Sequence, residues 1–558
     1  MVSRWLMPTT LRAMRSLLRP EGWPLHLALG AIIAMAYPWH PLYSGNQNVY
    51  LVHALARTIM PGMQSDPIFL QPDPFPLFTW LSIAIINVHP LCMHLAYALL
   101  NGVYVRALFR LVQTLVPEAL EGARLLPFCA LFVLLHTNEL WGSLLGTLTG
   151  TDLRWFFDSG LAEQGILRGY WQPSVFGVFL LLGLSLWFEG RIVAAMASVA
   201  VAGAFHANYL FLGGCIGTVI LLRSIMQGSF RKAMLGAIVA AVIVAPSVYL
   251  TFRDFVIIDP TKAADIADAA RQLAIGHVHF DPHQWLNAKT LVQAILFIIF
   301  IFLFRDDKRL RLTFLLAALA LMGTIVAMLF PGSTLHSLTP WRMSVVLFPM
   351  AFTLILARSC QRASHFGPVV IGSLFLLIEI IAFRLFGRAG QAHIWQAVAV
   401  IIIAVATVFS FLPFLRKQTV LLLLGAGCIC LSVASGILDH LLEERNLQAT
   451  EQYAVARAIR SSGVSGPAMV PPQFTLLRLA AGQPVLIDAN LHHSPDLGDR
   501  LRLLRSVEAA YAADSFDLNV AADHPEVRIL IIPKKKVPAG LTDWHLYATT
   551  EEHVILGR

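Results

Sequence analysis

"TLVQAILFIIFIFLFRDDKRLRLTFLLAALALMGTIVAMLF", residues 290–330, is an apolar run, a short charged turn and a second apolar run. Each run approaches the roughly 17–25 residues that a helix needs to cross a hydrocarbon layer. Arg305, Lys308, Arg309 and Arg311 fall between them, where a chain that leaves and re-enters a bilayer collects positive charge. The same alternation extends in both directions. Apolar windows lie near 25–40, 77–105, 126–141, 173–188, 192–206, 208–222 and 233–251 before the quoted pair, and near 342–357, 366–383, 393–413 and 419–437 after it. The pattern predicts an α-helical polytopic membrane protein with about 13 crossings. The window 77–105 has room for an extra interfacial helix broken at Pro90.

Composition agrees. Only 13% of the 558 residues are charged and mean hydropathy is +0.67, whereas soluble chains approach about a quarter charged. The net charge of +8 is dispersed among short loops rather than gathered on one soluble face, so no nucleic-acid partner is expected. Arg4, Arg12, Arg15 and Arg19 precede the first apolar run with no small-residue cleavage site behind it, so no removable signal peptide is expected. Cys92, Cys129, Cys215, Cys360, Cys428 and Cys430 lie in or beside apolar runs and support neither a disulfide framework nor a thiolate metal site.

Basic residues set the orientation. Arg106/Arg110/Arg124, Arg191, Arg223/Arg231/Lys232, the turn after 304, Arg358/Arg362 and Arg416/Lys417 fall on one side together with the N-terminus. That side is expected to be cytoplasmic. The long polar segments then lie outside: loops 41–76, 142–172 and 252–289, and the tail 439–558. In the tail, "AMVPP", "PVLID", "VRILIIP" and "HVILG" alternate with helical patterns and predict a small α/β domain after a membrane domain of residues 1–438.

The first outer loop contains "SDPIFLQPDPFP", residues 65–76, with its only acids, Asp66 and Asp73. Asp before Pro favours turns and extended backbone. A carboxylate beside the bilayer, raised in basicity by partial desolvation, could instead take a proton from a hydroxyl. Between the two, Asp73 is the first choice as base, because the prolines of "DPFP" fix the backbone around it, and Asp66 reads as the turn residue. The second loop gathers Asp152, Arg154, Asp158, Glu163, Gln164, Arg168, Tyr170, Trp171 and Gln172. Acids, amides, aromatics and arginines together suit a sugar or phosphate site, while an interfacial aromatic belt is the plainer alternative. His206 and Asn208 of "AFHANYLF" and His336 and Arg342 of "HSLTPWRMS" stand at the outer ends of spans. A cation at the membrane edge is costly unless paired, so Arg342 marks a candidate anion site, while snorkelling to the interface is the plainer alternative. "HVHFDPH" groups His277, His279, Asp281 and His283, but lacks the ligand spacing that would argue for a metal. No cofactor is certain from the sequence, and a divalent metal stays open without support in it. No phosphate-loop, dinucleotide or hydrolase-elbow motif is present in a convincing context.

This plan resembles the GT-C superfamily of integral-membrane glycosyltransferases, such as protein mannosyltransferases, aminoarabinose transferases and oligosaccharyltransferases. More closely, "GNQNVYLVHALA", "DPFP", "EQGILRGYWQPSVFGV", "FHANYL" and "VPPQF" resemble an uncharacterised family of bacterial multi-pass membrane proteins. The GT-C resemblance implies transfer of a sugar from a polyprenyl-phosphate donor to an acceptor on the outer face of the bacterial inner membrane. GT-C enzymes usually carry an acid just after the first span. Here Asn46 and Gln47 occupy that place and are expected to contact substrate, which leaves Asp73 or Asp66 to act as base. Arg342, with Arg154 or Arg168, would hold phosphate. Two other classes stay open: a transporter or lipid-flipping protein, which would need ionisable residues deep within its spans, and a non-catalytic degenerate transferase.

Overall fold

The computed structural model describes residues 20–37, 39–137, 153–253, 260–274, 279–330, 336, 338–362, 418–489, 496–539 and 541–558. The windows 366–383 and 393–413, Asp152, His277 and the side chain of His283 lie outside the described residues.

Six described helices are long and apolar enough to cross a membrane: Cys92–Leu115, Asn208–Met226, Phe230–Thr251, Lys308–Leu329, Pro340–Arg362 and Leu423–Gln448. Six shorter apolar helices accompany them: Trp23–Ala36, Pro76–Val88, Leu125–Leu135, Pro173–Phe188, Ile192–Phe205 and Ala288–Phe304. The chain is a multi-pass membrane protein. The window 77–105 divides at Pro90, as its proline demands, into Pro76–Val88 and Cys92–Leu115. Ile238, Val242, Phe302 and Leu321 point outward, more than half exposed, from helices whose apolar character runs all round. That distribution suits a lipid face. Inside, small residues let helices touch. A Cβ on Gly30 would collide with the backbone of Gly102, so Trp23–Ala36 and Cys92–Leu115 cross at a glycine pair.

The basic loops meet at one end of the bundle. There the Arg106 guanidinium donates to the Glu21 carbonyl (3.1 Å) and lies over the Trp23 ring, and Arg110 pairs with Glu189. Arg309 donates to the Thr114 carbonyl (2.6 Å), and Gln361 to Glu118 (3.0 Å). The described parts of the three long loops and of the C-terminal region contact one another, through His40 and Gly169, His279 and Ala162, Asp66 and Arg478, and Asp265 and Arg502.

The C-terminal region is a four-stranded sheet between helices. Its strands are β1 (Ala468–Met469), β2 (Ile529–Pro533), β3 (His545–Thr549) and β4 (His553–Gly557), in the order β1-β2-β4-β3. β1 runs parallel to β2, and β4 antiparallel to both β2 and β3. Ile529 and Ile531 face Val455, Ile459 and Leu477, while Leu530 and Ile532 face Leu504, Val507 and Tyr511. The continuous apolar run "ILII" follows from burial on both faces. "PVLID" contributes one bridge, Val485 to Ala468, rather than a full strand.

Candidate functional site at the loop end of the bundle

Arg342 enters the site through local backbone. Thr339 is left-handed (φ 49°), Pro340 opens a tight turn, Pro340–Met343, and the helix beginning at Ser344 follows. The turn places the guanidinium between elements. The Asn208 amide oxygen, in the orientation that hydrogen bonding dictates, accepts from both terminal nitrogens, with Nη2 at 3.2 Å. Nε is buried, and among the described residues it has no hydrogen-bond partner and the side chain no carboxylate partner. Tyr50, Tyr209 and Arg168 are its electrostatic neighbours. His206 is buried beside it, its ring 5.2 Å from Phe75 and 4.9 Å from Tyr209. Burial, then the Arg342 charge, pushes the His206 imidazole down to about 3, so it is neutral at physiological pH.

Arg168 comes from the second loop, where the backbone is repeatedly left-handed at Trp155, Ala162, Glu163 and Arg168 (φ 52–57°). Such residues cost roughly 1–3 kcal/mol each and persist only where neighbours hold them. Here the neighbours are identifiable. Gln293 donates to the Phe156 and Ser159 carbonyls (2.9 and 3.0 Å), and Lys289 to the Arg154 carbonyl (2.9 Å). His279 bonds the Ala162 carbonyl (2.8 Å), and the Leu161 N–H donates to the Ser344 hydroxyl (2.7 Å). The loop that sequence reads as an aromatic belt is therefore clamped from three sides. Its Arg168 guanidinium lies 5.2 Å from the centre of the Trp155 ring and pairs with no carboxylate among the described residues. Among the described residues neither arginine has an acidic partner, and Tyr50, Tyr170 and Tyr209 are their electrostatic neighbours, a setting whose chemistry suits a phosphate.

The first loop joins this arrangement. The His40 N–H donates to the Gly169 carbonyl (3.0 Å), and Gln47 donates to the Trp171 carbonyl (3.1 Å) while its oxygen accepts from the Tyr43 N–H (2.7 Å). Gln47, expected to contact substrate, is thus fully buried and ties the two loops together. Asn46 is exposed at the start of the turn Gln47–Tyr50, near Tyr170. Asp73 Oδ1 accepts from the Phe75 N–H (2.9 Å), and the Phe75 ring packs on Tyr50 and His206, both neighbours of Arg342. Asp73 Oδ2 is buried with no hydrogen-bond partner among the described residues. Beside it is the buried His53, whose imidazole is driven down first by desolvation, with the Asp73 charge opposing.

Asp66, the other candidate base, is bound by the C-terminal region. Oδ2 accepts from Arg478 Nε (2.8 Å) and the Val485 N–H (3.0 Å), and Oδ1 from the Ile68 N–H (2.8 Å). Arg478 also donates to Asp488 (2.7 Å), with all three groups buried. Asp66 ties the loop to the C-terminal region, with three hydrogen bonds on its carboxylate.

Other expected residues scatter. His336 packs with Phe280 and Trp341 in an aromatic cluster of its own. Trp171 is core: its indole donates to Ser82 (2.9 Å) and stacks on Phe78. Gln172 is buried before the turn Pro173–Gly177. Arg154 shares the Trp155 ring with Arg168, and Glu163 and Gln164 lie in the strained turn. Asp158 is buried, with its Oδ2 accepting from the Tyr37 hydroxyl (2.8 Å). Tyr50, Tyr209, Tyr37 and His53 were not singled out from sequence, since a lone tyrosine or histidine in an apolar context carries no spacing signal. Among the described residues no group of three or more metal-ligating side chains occurs.

The fold is similar to that of a solved protein over almost the whole length of both chains. ArnT from Cupriavidus metallidurans in the apo state superposes with a TM-score of 0.51 at 13% identity, covering 98% of each chain. The same protein bound to undecaprenyl phosphate gives 0.50 at 12%, covering 95% of this chain and 97% of that one. At this identity the likeness shows the fold. No family model matches the sequence, and no curated protein matches it.

Proposed function

We propose that this protein transfers a sugar from a polyprenyl-phosphate-linked donor to an acceptor at the loop end of the bundle. The observation that carries the reading is the Arg168–Arg342 pair, two guanidiniums with no carboxylate partner among the described residues, in a bundle folded like a protein solved with undecaprenyl phosphate bound. In this reading the donor phosphate lies between the two arginines while the polyprenyl chain runs down the lipid face. The acceptor hydroxyl gives its proton to Asp73 Oδ2, and its oxygen forms a bond to the anomeric carbon. The bond from that carbon to the phosphate oxygen breaks, and its electron pair stays on the phosphate. The guanidiniums stabilise that developing charge, which is the interaction that strengthens most along the reaction. A single displacement of this kind inverts the anomeric centre.

Arg342→Gln tests the phosphate half. It keeps hydrogen-bonding capacity toward Asn208 but removes the charge, so affinity for undecaprenyl phosphate in nanodiscs should fall by roughly tenfold or more. Affinity equal to that of the parent would refute the assignment.

We also assign the site and residues 439–558, taken as the C-terminal domain, to the outer face of a bacterial inner membrane, on the loop charges already described. An alkaline phosphatase fused after Arg558 should be active in intact cells. A fusion that is active only as a cytoplasmic reporter would place the site on the wrong side for this donor.

A further inference from the structure

Within the second loop Asp158 holds a position that the transfer reaction does not use. Its side chain is 1% exposed. Oδ2 accepts from the Tyr37 hydroxyl (2.8 Å) and from the Leu167 N–H (3.4 Å), one residue before Arg168. Its own carbonyl accepts from the Ile166 N–H (3.5 Å), and Ser159 and Gly165 form a bridge between those bonds. The carboxyl and its backbone therefore brace the turn that ends at Arg168. Oδ1 is buried with no hydrogen-bond partner among the described residues. No ion pair joins Asp158 to Arg168, yet the Arg168 charge reaches it.

We propose that Asp158 is a positioning residue whose proton sets how strongly the Arg168–Arg342 pair holds a phosphate group. The inference rests on the phosphate site proposed above. Every element packed around Asp158 contributes to its balance. Tyr37 faces it from the end of Trp23–Ala36, Tyr97 and Tyr104 from Cys92–Leu115, Arg168 from its own loop and Lys289 from Ala288–Phe304. Burial is the largest influence and pushes the carboxyl up to about 6, against the Tyr37 hydrogen bond and the Arg168 charge. The sign then follows. Below that pH the carboxyl is protonated, the negative charge beside Arg168 is gone, and the two guanidiniums act on an anion undiminished. Above it the carboxylate offsets part of their field. His206, held neutral down to about 3, contributes no change in this range.

The probe should be a fluorescent prenyl phosphodiester, which keeps one negative charge throughout the range and so does not titrate itself. Binding to the full protein in nanodiscs is expected to be roughly three- to tenfold tighter at pH 5.5 than at pH 7.5, as for one charge acting over a partly screened distance. Asp158→Asn should bind at the acidic affinity at both pH values. Tyr37→Phe, which removes a bond that favours the ionised carboxyl, should move the midpoint of the profile upward, and it serves if Asp158→Asn does not fold. A parent profile that is flat, or an unchanged slope in Asp158→Asn, overturns the inference while leaving the phosphate site intact. If neither the parent nor Arg342→Gln binds the probe, the phosphate site itself fails, and this inference with it.

Discussion

Asp73→Asn should lower sugar transfer by roughly 10²–10⁴, the range typical of a lost general base. The substitution is conservative where it needs to be. Asparagine still offers an oxygen to the Phe75 N–H, so the turn that aims Phe75 at Tyr50 and His206 is retained. What disappears is the proton acceptor at Oδ2, the buried oxygen that no described residue satisfies. An unsatisfied carboxylate oxygen is costly in a fold unless something binds there, and an acceptor hydroxyl is the group that the reaction brings. The effect should fall on kcat, with affinity for the phosphate lipid unchanged, because Arg168 and Arg342 are untouched. Measurement of initial rates beside lipid affinity separates the two. If Asp73→Asn turns over like the parent, Asp73 is turn chemistry and the base lies elsewhere.

The second large effect concerns stability. Arg478→Met should destabilise the C-terminal domain and its attachment by about 3–5 kcal/mol, the usual result of removing one partner from a buried ion pair. Arg478 bridges Asp66 and Asp488, and none of the three reaches solvent. Without the guanidinium two carboxylates remain buried side by side. Limited proteolysis should then cut between Thr450 and the sheet much faster than in the parent, and thermal unfolding should acquire an early transition. The double variant Asp66→Asn with Arg478→Met should recover part of the loss, since it no longer leaves a buried charge beside the loop. A double variant no more stable than Arg478→Met alone would show that the pair is not the anchor.

These two acids, seven residues apart, show where sequence stops being informative. "SDPIFLQPDPFP" names both Asp66 and Asp73 as candidates, and local turn chemistry favours Asp73. The partner that sets Asp66 apart is Arg478, 412 residues away in "LLRLAAG", where an arginine on a short helix looks solvated. The helices, by contrast, were legible because a bilayer imposes one length and one composition on every span. Even the Pro90 break could be read, since a missing N–H is a local fact. The inner strands of the domain were legible for the same reason: "RILIIP" and "HVILG" are apolar runs of strand length. β3, "HLYAT", escaped notice because it pairs at the sheet edge with most of its residues exposed, so it has no apolar run to show. Arg342 could be picked out by cost alone, a cation at a membrane edge. That Arg168 rather than Arg154 stands with it depends on left-handed backbone in the second loop, which no side-chain pattern there announces.

The most direct test of the central claim is photocrosslinking with a polyprenyl phosphate that carries a diazirine on the carbon next to the phosphate, followed by peptide mapping. The account predicts labels on the segments around Asn46–Tyr50, Arg168–Trp171 and His206–Tyr209, abolished by excess undecaprenyl phosphate and strongly reduced in Arg342→Gln. Labels confined to lipid-facing positions such as Ile238 and Val242, unaffected by competitor or by Arg342→Gln, would contradict it.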